Sequence, residues 1–238
     1  MNPLTTLSSS CGGREAAAPS LPMTGTARKR AALYGFLATL FRRHPSRENL
    51  LSLRTQELRE ALQQAGMLLD KEFFTADVDA LAEALAVEFA NLFLIPGSLI
   101  SPHESVQICG GSGLLRGPET ARVREYYEQV GFQVDDSIPM EPDHVSIELE
   151  FLGHLAAEEA NAWEAEDALT ALGVLRYEDD FLRRHLGQWI FDFLNRVEAN
   201  TANGFYRELA RLTIALLEEL RVALPEMIAQ LETGNATP

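Results

Sequence analysis

One stretch decides how this 238-residue chain folds: Glu141-Pro142-Asp143-His144-Val145-Ser146-Ile147-Glu148-Leu149-Glu150-Phe151-Leu152. Proline suits the first turn of a helix, because the N–H that it lacks would have no partner there, and acidic residues are favoured beside the positive helix end. We therefore predict that Pro142 begins a helix with Glu141 and Asp143 at its mouth. The residues that follow are predicted to form helices packed behind this one.

Glu148 is predicted to point into the protein. At about 100° per residue, the apolar residues of this helix share one broad side, and Glu148 falls on that same side. His144 lies one turn earlier, so its imidazole is placed to pair with the Glu148 carboxylate. Such a pair either fixes the helix start or belongs to a functional site, and both readings stay open. A carboxylate neighbour favours a charged imidazole whereas burial opposes it, so the sequence leaves the direction of the His144 pKa shift open as well.

Four stretches, taken together, carry a family resemblance. Glu-Pro-Asp-His followed by Glu-Leu-Glu-Phe-Leu resembles the signature of the TorD/DmsD family, which includes cytoplasmic chaperones that mature molybdenum-containing redox enzymes. Three further stretches resemble the family in order and spacing, namely FANLF at 89–93 with PHES at 102–105, residues 123–132, and residues 181–189 with 205–210. The likeness covers roughly residues 28–225.

The resemblance implies a function and a set of residues. It implies a chaperone without catalytic activity or cofactor that binds the twin-arginine leader and apo form of a molybdenum-cofactor-containing oxidoreductase. The residues that it places at the client-binding cleft are Glu141, Pro142, Asp143 and His144, with Tyr34, Leu92, Pro102 and Ser105 as further candidates. Helical periodicity, independently of the resemblance, assigns Glu148 and Trp189 to structural support. Read by itself, Tyr34 fits the rim of a core as well as a cleft.

Helical periodicity, without strand alternation, runs through most of the chain. We therefore predict an all-α fold, a single multi-helix bundle over residues 27–232 in which short loops make successive helices neighbours. Residues 1–26 have no apolar period and are predicted to form a disordered tail, and residues 233–238 a frayed C terminus. Helices are predicted to end at Gly173 and before Pro225. Long helices with flexible loops allow either a monomer or a domain-swapped homodimer.

Composition favours a cytoplasmic protein. The hydrophobic content of 46% is ample for a core, and the sequence contains neither a membrane-spanning stretch nor a secretory signal. The two cysteines, Cys11 and Cys109, lack metal-ligand spacing, and we interpret both as free thiols.

Negative charge is concentrated in one part of the chain. The net charge is −15, and residues 141–180 hold twelve acidic side chains but one basic residue, Arg176. Such a field repels nucleic-acid phosphates and anionic lipid and attracts cationic segments. The run is therefore interpreted either as a docking surface for a cationic leader or as an ordinary solvated helix face.

Two other functions compete with the chaperone. In a metal-dependent helical-bundle enzyme, Glu150, His154 and Glu158 are ligand-competent groups one turn apart, but a di-metal bundle needs two Glu-x-x-His motifs with further inward glutamates. A general acidic protein-binding adaptor without a redox client is the second alternative. The glycines at 110–113 lack the lysine of a phosphate-binding loop, which leaves weak nucleotide binding open.

Overall fold

A computed structural model describes residues 20–95, 100–108, 115–134 and 139–235. Within these ranges the chain forms eleven α-helices and a short 3₁₀ helix, and the β-type pairing in them is one isolated antiparallel bridge between His103 and His144. The helices are α1 Ser20–Arg42, α2 Arg47–Leu53, α3 Gln56–Gln64, α4 Lys71–Thr75, α5 Val78–Phe93, α6 Glu104–Gln107, α7 Pro118–Gln129, α8 Val145–Glu164, α9 Ala168–Arg184, the 3₁₀ helix Leu186–Gln188, α10 Ile190–Asn200 and α11 Gly204–Asn235. The predicted all-α bundle is confirmed.

The centre of the bundle is the pair α1 and α8, which make the most extensive contact between any two helices described. Gly153 of α8 allows this close crossing, because a Cβ added there would lie 3.3 Å from the Cβ of Tyr34 and 3.5 Å from the carbonyl oxygen of Ala31. The expectation that successive helices are neighbours holds for α8 with α9 and for α10 with α11, but the central pair is far apart in sequence.

The first helix begins earlier than the predicted boundary at residue 27. α1 starts at Ser20, Ala27 is fully buried, and Met23 packs against a small cluster of Ala162, Trp163 and Ala171. These contacts give the first turns of α1 an apolar surface to cover, which the sequence composition alone does not indicate. Residues 1–19 of the predicted tail lie outside the described residues, as do Cys11, Cys109 and the glycines at 110–113.

Three predicted helix ends are also wrong. The break after α8 comes at Glu166, which has a positive φ of 58°, and Asp167 then caps α9, so Gly173 lies inside a helix. Pro225 lies within α11, which continues to Asn235 beyond the expected frayed end at 233. The last turns of α11 are held by tertiary packing, because apolar side chains there, such as Leu231, pack against the core.

The acidic run at 141–180 is not one solvent-facing surface. Five of its twelve acidic side chains are buried: Asp143, Glu148, Glu159, Glu178 and Asp179. Four are exposed, on the last turns of α8 and the turn after it: Glu158, Glu164, Glu166 and Asp167. The acidic surface available to a partner is therefore smaller than the sequence suggests. None of the described helices has the length and apolar character needed to cross a membrane.

Candidate functional site

The structure brings together two of the predicted site segments, Pro102–Ser105 and Glu141–His144. The Val145 N–H donates to the carbonyl oxygen of Pro102 at 2.8 Å, and the Glu104 N–H donates to that of Asp143 at 3.0 Å. The rings of His103 and His144 meet edge to face with centroids 5.0 Å apart. Residues 100–108, which contain α6 and which we call the site loop, are thus anchored to the start of α8 by backbone and ring contacts.

The start of α8 differs from the prediction. The helix begins at Val145, and His144 is its N-cap, with Nδ1 accepting a hydrogen bond from the Ser146 N–H at 3.1 Å. Pro142 precedes the helix, and its carbonyl oxygen accepts from the Tyr127 hydroxyl at 2.8 Å. Asp143 serves a different helix, because its Oδ2 accepts from the Ser105 N–H at the start of α6 at 2.9 Å. A capping partner that is distant in sequence leaves no local signal.

Most of the predicted client-binding residues are buried. The buried residues are Tyr34, Leu92, Pro102, Ser105, Pro142, Asp143 and His144. Glu141 alone among the eight keeps a partly exposed side chain, 22% accessible, and its carboxylate pairs at 2.7 Å with Arg116, whose own side chain is 77% exposed. Direct contact with a partner is therefore open to Glu141 in this conformation, whereas the other seven belong to the interior of the protein.

Tyr34 and Leu92 occupy separate places. Tyr34 lies on α1, where its hydroxyl donates to Glu178 at 3.1 Å, as part of another buried network. Leu92 joins the end of α5 to the site loop, since its carbonyl oxygen accepts from the Ile100 N–H at 2.8 Å. Just beyond it, Leu94 and Ile95 are 64% and 45% exposed. Leu94 and Ile95 thus form an exposed apolar patch at the end of α5, next to the residue that is bonded to the site loop.

Beneath the site loop lies a cluster of carboxyl groups that we call the acid cluster: Glu104, Asp143 and Glu148. Glu148 is fully buried, as its inward position predicts, but it does not pair with His144, which faces Ser146 and His103 instead. Burial, followed by the neighbouring Glu104 and Asp143 carboxyls, raises the pKa of Glu148 well above its ordinary value, and the nearby Trp189 indole opposes this rise.

The two histidines beside the acid cluster differ in their surroundings. His185 Nδ1 lies 3.2 Å from a Glu104 carboxylate oxygen, and both side chains are buried. Burial raises the pKa of Glu104, and His185 opposes that rise. Burial, together with His103 and Arg42, lowers the pKa of His144 to about 3. His144 is therefore a neutral cap at physiological pH, which resolves the direction that the sequence left open.

A second buried network joins three helices around Arg30. The guanidinium of Arg30 bonds to Glu178 at 2.8 and 2.9 Å and to Glu159, which also accepts from the Trp163 indole at 2.9 Å. Burial, opposed by Arg30, raises the pKa of Glu178 to about 7. Sequence reasoning missed this network because Arg30 stands in a basic tripeptide. Its spacing of four residues from Tyr34, on the apolar side of α1, is the signal that could have found it.

The side chains considered as metal ligands have separate partners. Glu150 pairs with Arg42, His154 packs against the ring of Phe132 at 5.4 Å, and Glu158 accepts from Asn161 at 3.2 Å. Across the described part of the chain, no group of three or more His, Cys, Asp or Glu side chains is arranged to hold a metal ion. The metal-dependent alternative thus gains no ligand set from the described residues.

The chain is similar to known proteins over most of its length. A family profile described as the nitrate reductase delta subunit matches residues 55–195. A protein named Chaperone protein TorD from Vibrio cholerae is 30% identical over 216 residues, which cover 85% of this chain and 94% of that protein. Its namesake from Vibrio parahaemolyticus is 30% identical over 203 residues, or 79% and 90%. A solved structure from Archaeoglobus fulgidus, assigned to redox enzyme maturation, covers 79% of this chain and 93% of its own at 23% identity, with a TM-score of 0.49.

Proposed function

The chain belongs to the TorD/DmsD family of redox-enzyme maturation chaperones, and from this premise we propose that it binds the twin-arginine leader and apo form of a molybdenum-cofactor-containing oxidoreductase in the cytoplasm until the cofactor is inserted. The observation that carries this proposal is the similarity to proteins named as TorD chaperones over 85% of the chain. The meeting of Pro102–Ser105 with Glu141–His144 at one place supports it further, because these are the segments of the family resemblance.

The surface around the site suits the two chemical features of such a leader, which are paired arginines and an apolar stretch. Leu94 and Ile95 offer exposed apolar area at the end of α5. The apolar stretch of the leader can bind there, because contact removes the apolar surface of both from water. Glu141 offers a carboxylate, which in this structure forms an ion pair with the exposed side chain of Arg116. Exposed pairs contribute about 0–1 kcal/mol, so an arginine of the leader can replace Arg116 at little cost.

The exposed acidic residues at the end of α8 lie up to about 30 Å along the helix from the site at its start, so they can act on a cationic segment only during encounter. Glu158, Glu164, Glu166 and Asp167 give this end of the molecule a negative field that attracts a cationic segment during encounter. One of them, Glu164, is paired with Arg28 at 3.1 Å, which reduces the field locally. Charge of this kind raises the rate of association more than the final affinity, and salt screens it.

Calorimetry with a leader peptide tests the proposal. We expect Glu141→Gln to weaken binding by up to about 1 kcal/mol and Arg116→Ala to strengthen it slightly, because the first removes the carboxylate and the second removes its competitor. Glu226→Gln, an exposed glutamate on α11, is the charge-matched control. Raising the salt concentration should weaken binding without abolishing it, since an apolar component remains.

Two outcomes would count against the proposal in different ways. Absence of peptide binding by folded protein would remove the leader from the proposed function. Binding that is unchanged by Glu141→Gln, by Arg116→Ala and by salt would keep the leader but move its site away from Glu141.

A further inference from the structure

We propose that Glu104 and Glu148, two members of the acid cluster, hold at least one proton between them at neutral pH, and that loss of this proton releases residues 100–108 from the start of α8 and exposes Asp143 and His144. The inference concerns the folded chain by itself and does not depend on the identity of a client. It rests on the burial of the three carboxyl groups and on the supply of hydrogen-bond donors around them.

Donors are scarce in the acid cluster. Each of the three residues is at most 2% exposed. Neither carboxyl oxygen of Glu148 nor Asp143 Oδ1 has a hydrogen-bond partner among the described residues. The Trp189 indole N–H beside Glu148 and the Ser105 hydroxyl could donate, but neither makes a hydrogen bond of normal geometry there. Ionised carboxylates accept hydrogen bonds but donate none, so a buried Glu148 carboxylate that no donor reaches carries the full cost of desolvation. A proton on one carboxyl supplies the missing donor.

The basic side chains around the acid cluster are paired with other carboxylates or, like His185, face Glu104 alone. His185 faces Glu104, Arg122 pairs with Glu119 at 3.7 Å, and Arg42 pairs with Glu150. The other titratable groups that act on the cluster are Glu119 and Tyr127 of α7, and His103 lies on the outer side, near Asp143 and Glu141. In the described residues, Glu148 and Asp143 therefore lack an ion-pair partner. Three buried carboxylates with one histidine beside them would be unstable inside a protein. Protonation of one carboxyl is therefore favoured.

The site loop is the part of the structure that would move away from α8 when the proton is lost. Glu104 lies on α6, a four-residue helix, whereas Glu148 lies on α8 in the centre of the bundle. Glu104 can reach water by a local movement that breaks the bonds from the Val145 N–H to Pro102 and from the Glu104 and Ser105 N–H groups to Asp143. Local opening of a short segment costs less free energy than unfolding the bundle.

Amide hydrogen exchange, measured on the full chain as a function of pH, tests this. We expect the protection factors of the Glu104 and Ser105 amides to fall as the pH rises from about 6 to about 9, by up to about tenfold for each pH unit above the pKa of the cluster when one proton is linked. Glu148→Gln, which imitates the protonated acid, should keep these amides protected over the same range. Glu158→Gln, an exposed position on the same helix, should behave as the wild type does.

Infrared spectroscopy with ¹³C-labelled glutamate provides a reading that leaves the acid cluster unchanged. It is done on Glu178→Gln protein, because Glu178, with a pKa of about 7, would contribute a protonated band of its own. A protonated carboxyl band at neutral pH that disappears at the pH where protection is lost would support the proposal. Two results would overturn it: a Glu178→Gln spectrum at neutral pH without a protonated carboxyl band, or a folded Glu148→Gln protein that loses protection with the same pH profile as the wild type. If Glu148→Gln does not fold, the Glu178→Gln spectrum decides.

Discussion

At the residue scale, the partner of each buried acid decides what that acid does. Asp143 has a backbone donor and caps α6, Glu178 has Arg30 and Tyr34, and Glu148 has neither a cation nor a donor of normal geometry among the described residues. A buried carboxylate with charge-assisted bonds is tolerated, whereas one without them is favoured in its neutral form. Carboxyl side chains therefore serve in capping at Asp143, in ion pairing at Glu178 and, as we propose, in holding a proton at Glu148.

Asp143 provides the first prediction. Asp143→Ala removes the acceptor of the buried Ser105 N–H and should lower the free energy of unfolding by on the order of 1–3 kcal/mol. Asp143→Asn keeps a side-chain oxygen for that N–H and removes a charge from beside Glu104 and Glu148, so it should cost clearly less. Urea melts of both variants measure the difference, and equal losses would contradict the capping role.

Glu178 provides a prediction about pH. Its pKa in the folded protein, about 7, lies above its ordinary value of 4.5, so the folded state binds this proton more readily than the unfolded state. The stability linked to Glu178 is fully present below about pH 4.5 and is lost as the pH rises through about 7. Wild-type protein should lose on the order of 1–3 kcal/mol over this window, and Glu178→Gln should lose less. The free energy of unfolding of both proteins is measured by chemical denaturation at each pH. An equal loss in the two proteins would show that Glu178 does not titrate in this pH window.

At this scale the sequence predicts only whether a side chain points into the protein or away from it. The period of α8 predicts correctly that Glu148 points inward, because that depends on the helix alone. It fails for the His144 partner and for the helix start, because the Pro102 and Ser105 backbone groups that complete the turn come from a distant loop. Burial of seven of the eight proposed site residues is likewise a tertiary property.

At the scale of elements, the crossing of α1 and α8 organises the bundle. It brings together Arg30 and Tyr34 of α1, Glu159 of α8 and, from the adjacent α9, Glu178. The crossing is close because Gly153 presents no side chain to Tyr34. Periodicity predicts that both helices exist, but it does not say which helix crosses which, and a glycine inside a helical pattern is equally typical of a helix end.

A matched pair of glycine substitutions tests the crossing. A Cβ at Gly153 would lie 3.3 Å from the Cβ of Tyr34, which is fully buried and bonded to Glu178, so Gly153→Ala should be destabilising or at best neutral. Gly173 lies in α9, where an added Cβ would have no neighbour within 4 Å, so Gly173→Ala should stabilise by about 0.5–1 kcal/mol through helix propensity. Thermal melts in which both variants gain stability would contradict the close contact.

Truncation tests the early start of α1. Removing residues 1–26 deletes the first turns of α1, including Met23, whereas removing residues 1–19 leaves the described helix whole. The longer deletion should lower the free energy of unfolding by roughly 0.5–2 kcal/mol more than the shorter one, because it uncovers the cluster around Trp163. Equal denaturation midpoints for the two truncated proteins would show that the packing of these turns contributes nothing.

At the scale of the whole molecule, charge is divided between inside and outside in a way that composition does not reveal. A run of twelve acidic residues in forty is typical of a solvated face, yet five of them are buried and part of the rest is paired with arginine. Helical periodicity predicted the all-α fold, and the family resemblance predicted the chaperone family, because the order and spacing of motifs can be read from a sequence whereas individual contacts cannot. The client surface that we propose therefore depends on a few exposed groups around Glu141, Leu94 and Ile95.

The proposed chaperone function is tested most directly by isolating the tagged chain from its own cells, grown with and without synthesis of the molybdenum cofactor, and identifying what is bound. We expect a complex with an oxidoreductase subunit that lacks its cofactor and retains its leader, which accumulates when cofactor synthesis is blocked and declines when it is restored. Recovery of no oxidoreductase under either condition, or equal recovery of the cofactor-loaded enzyme, would contradict it.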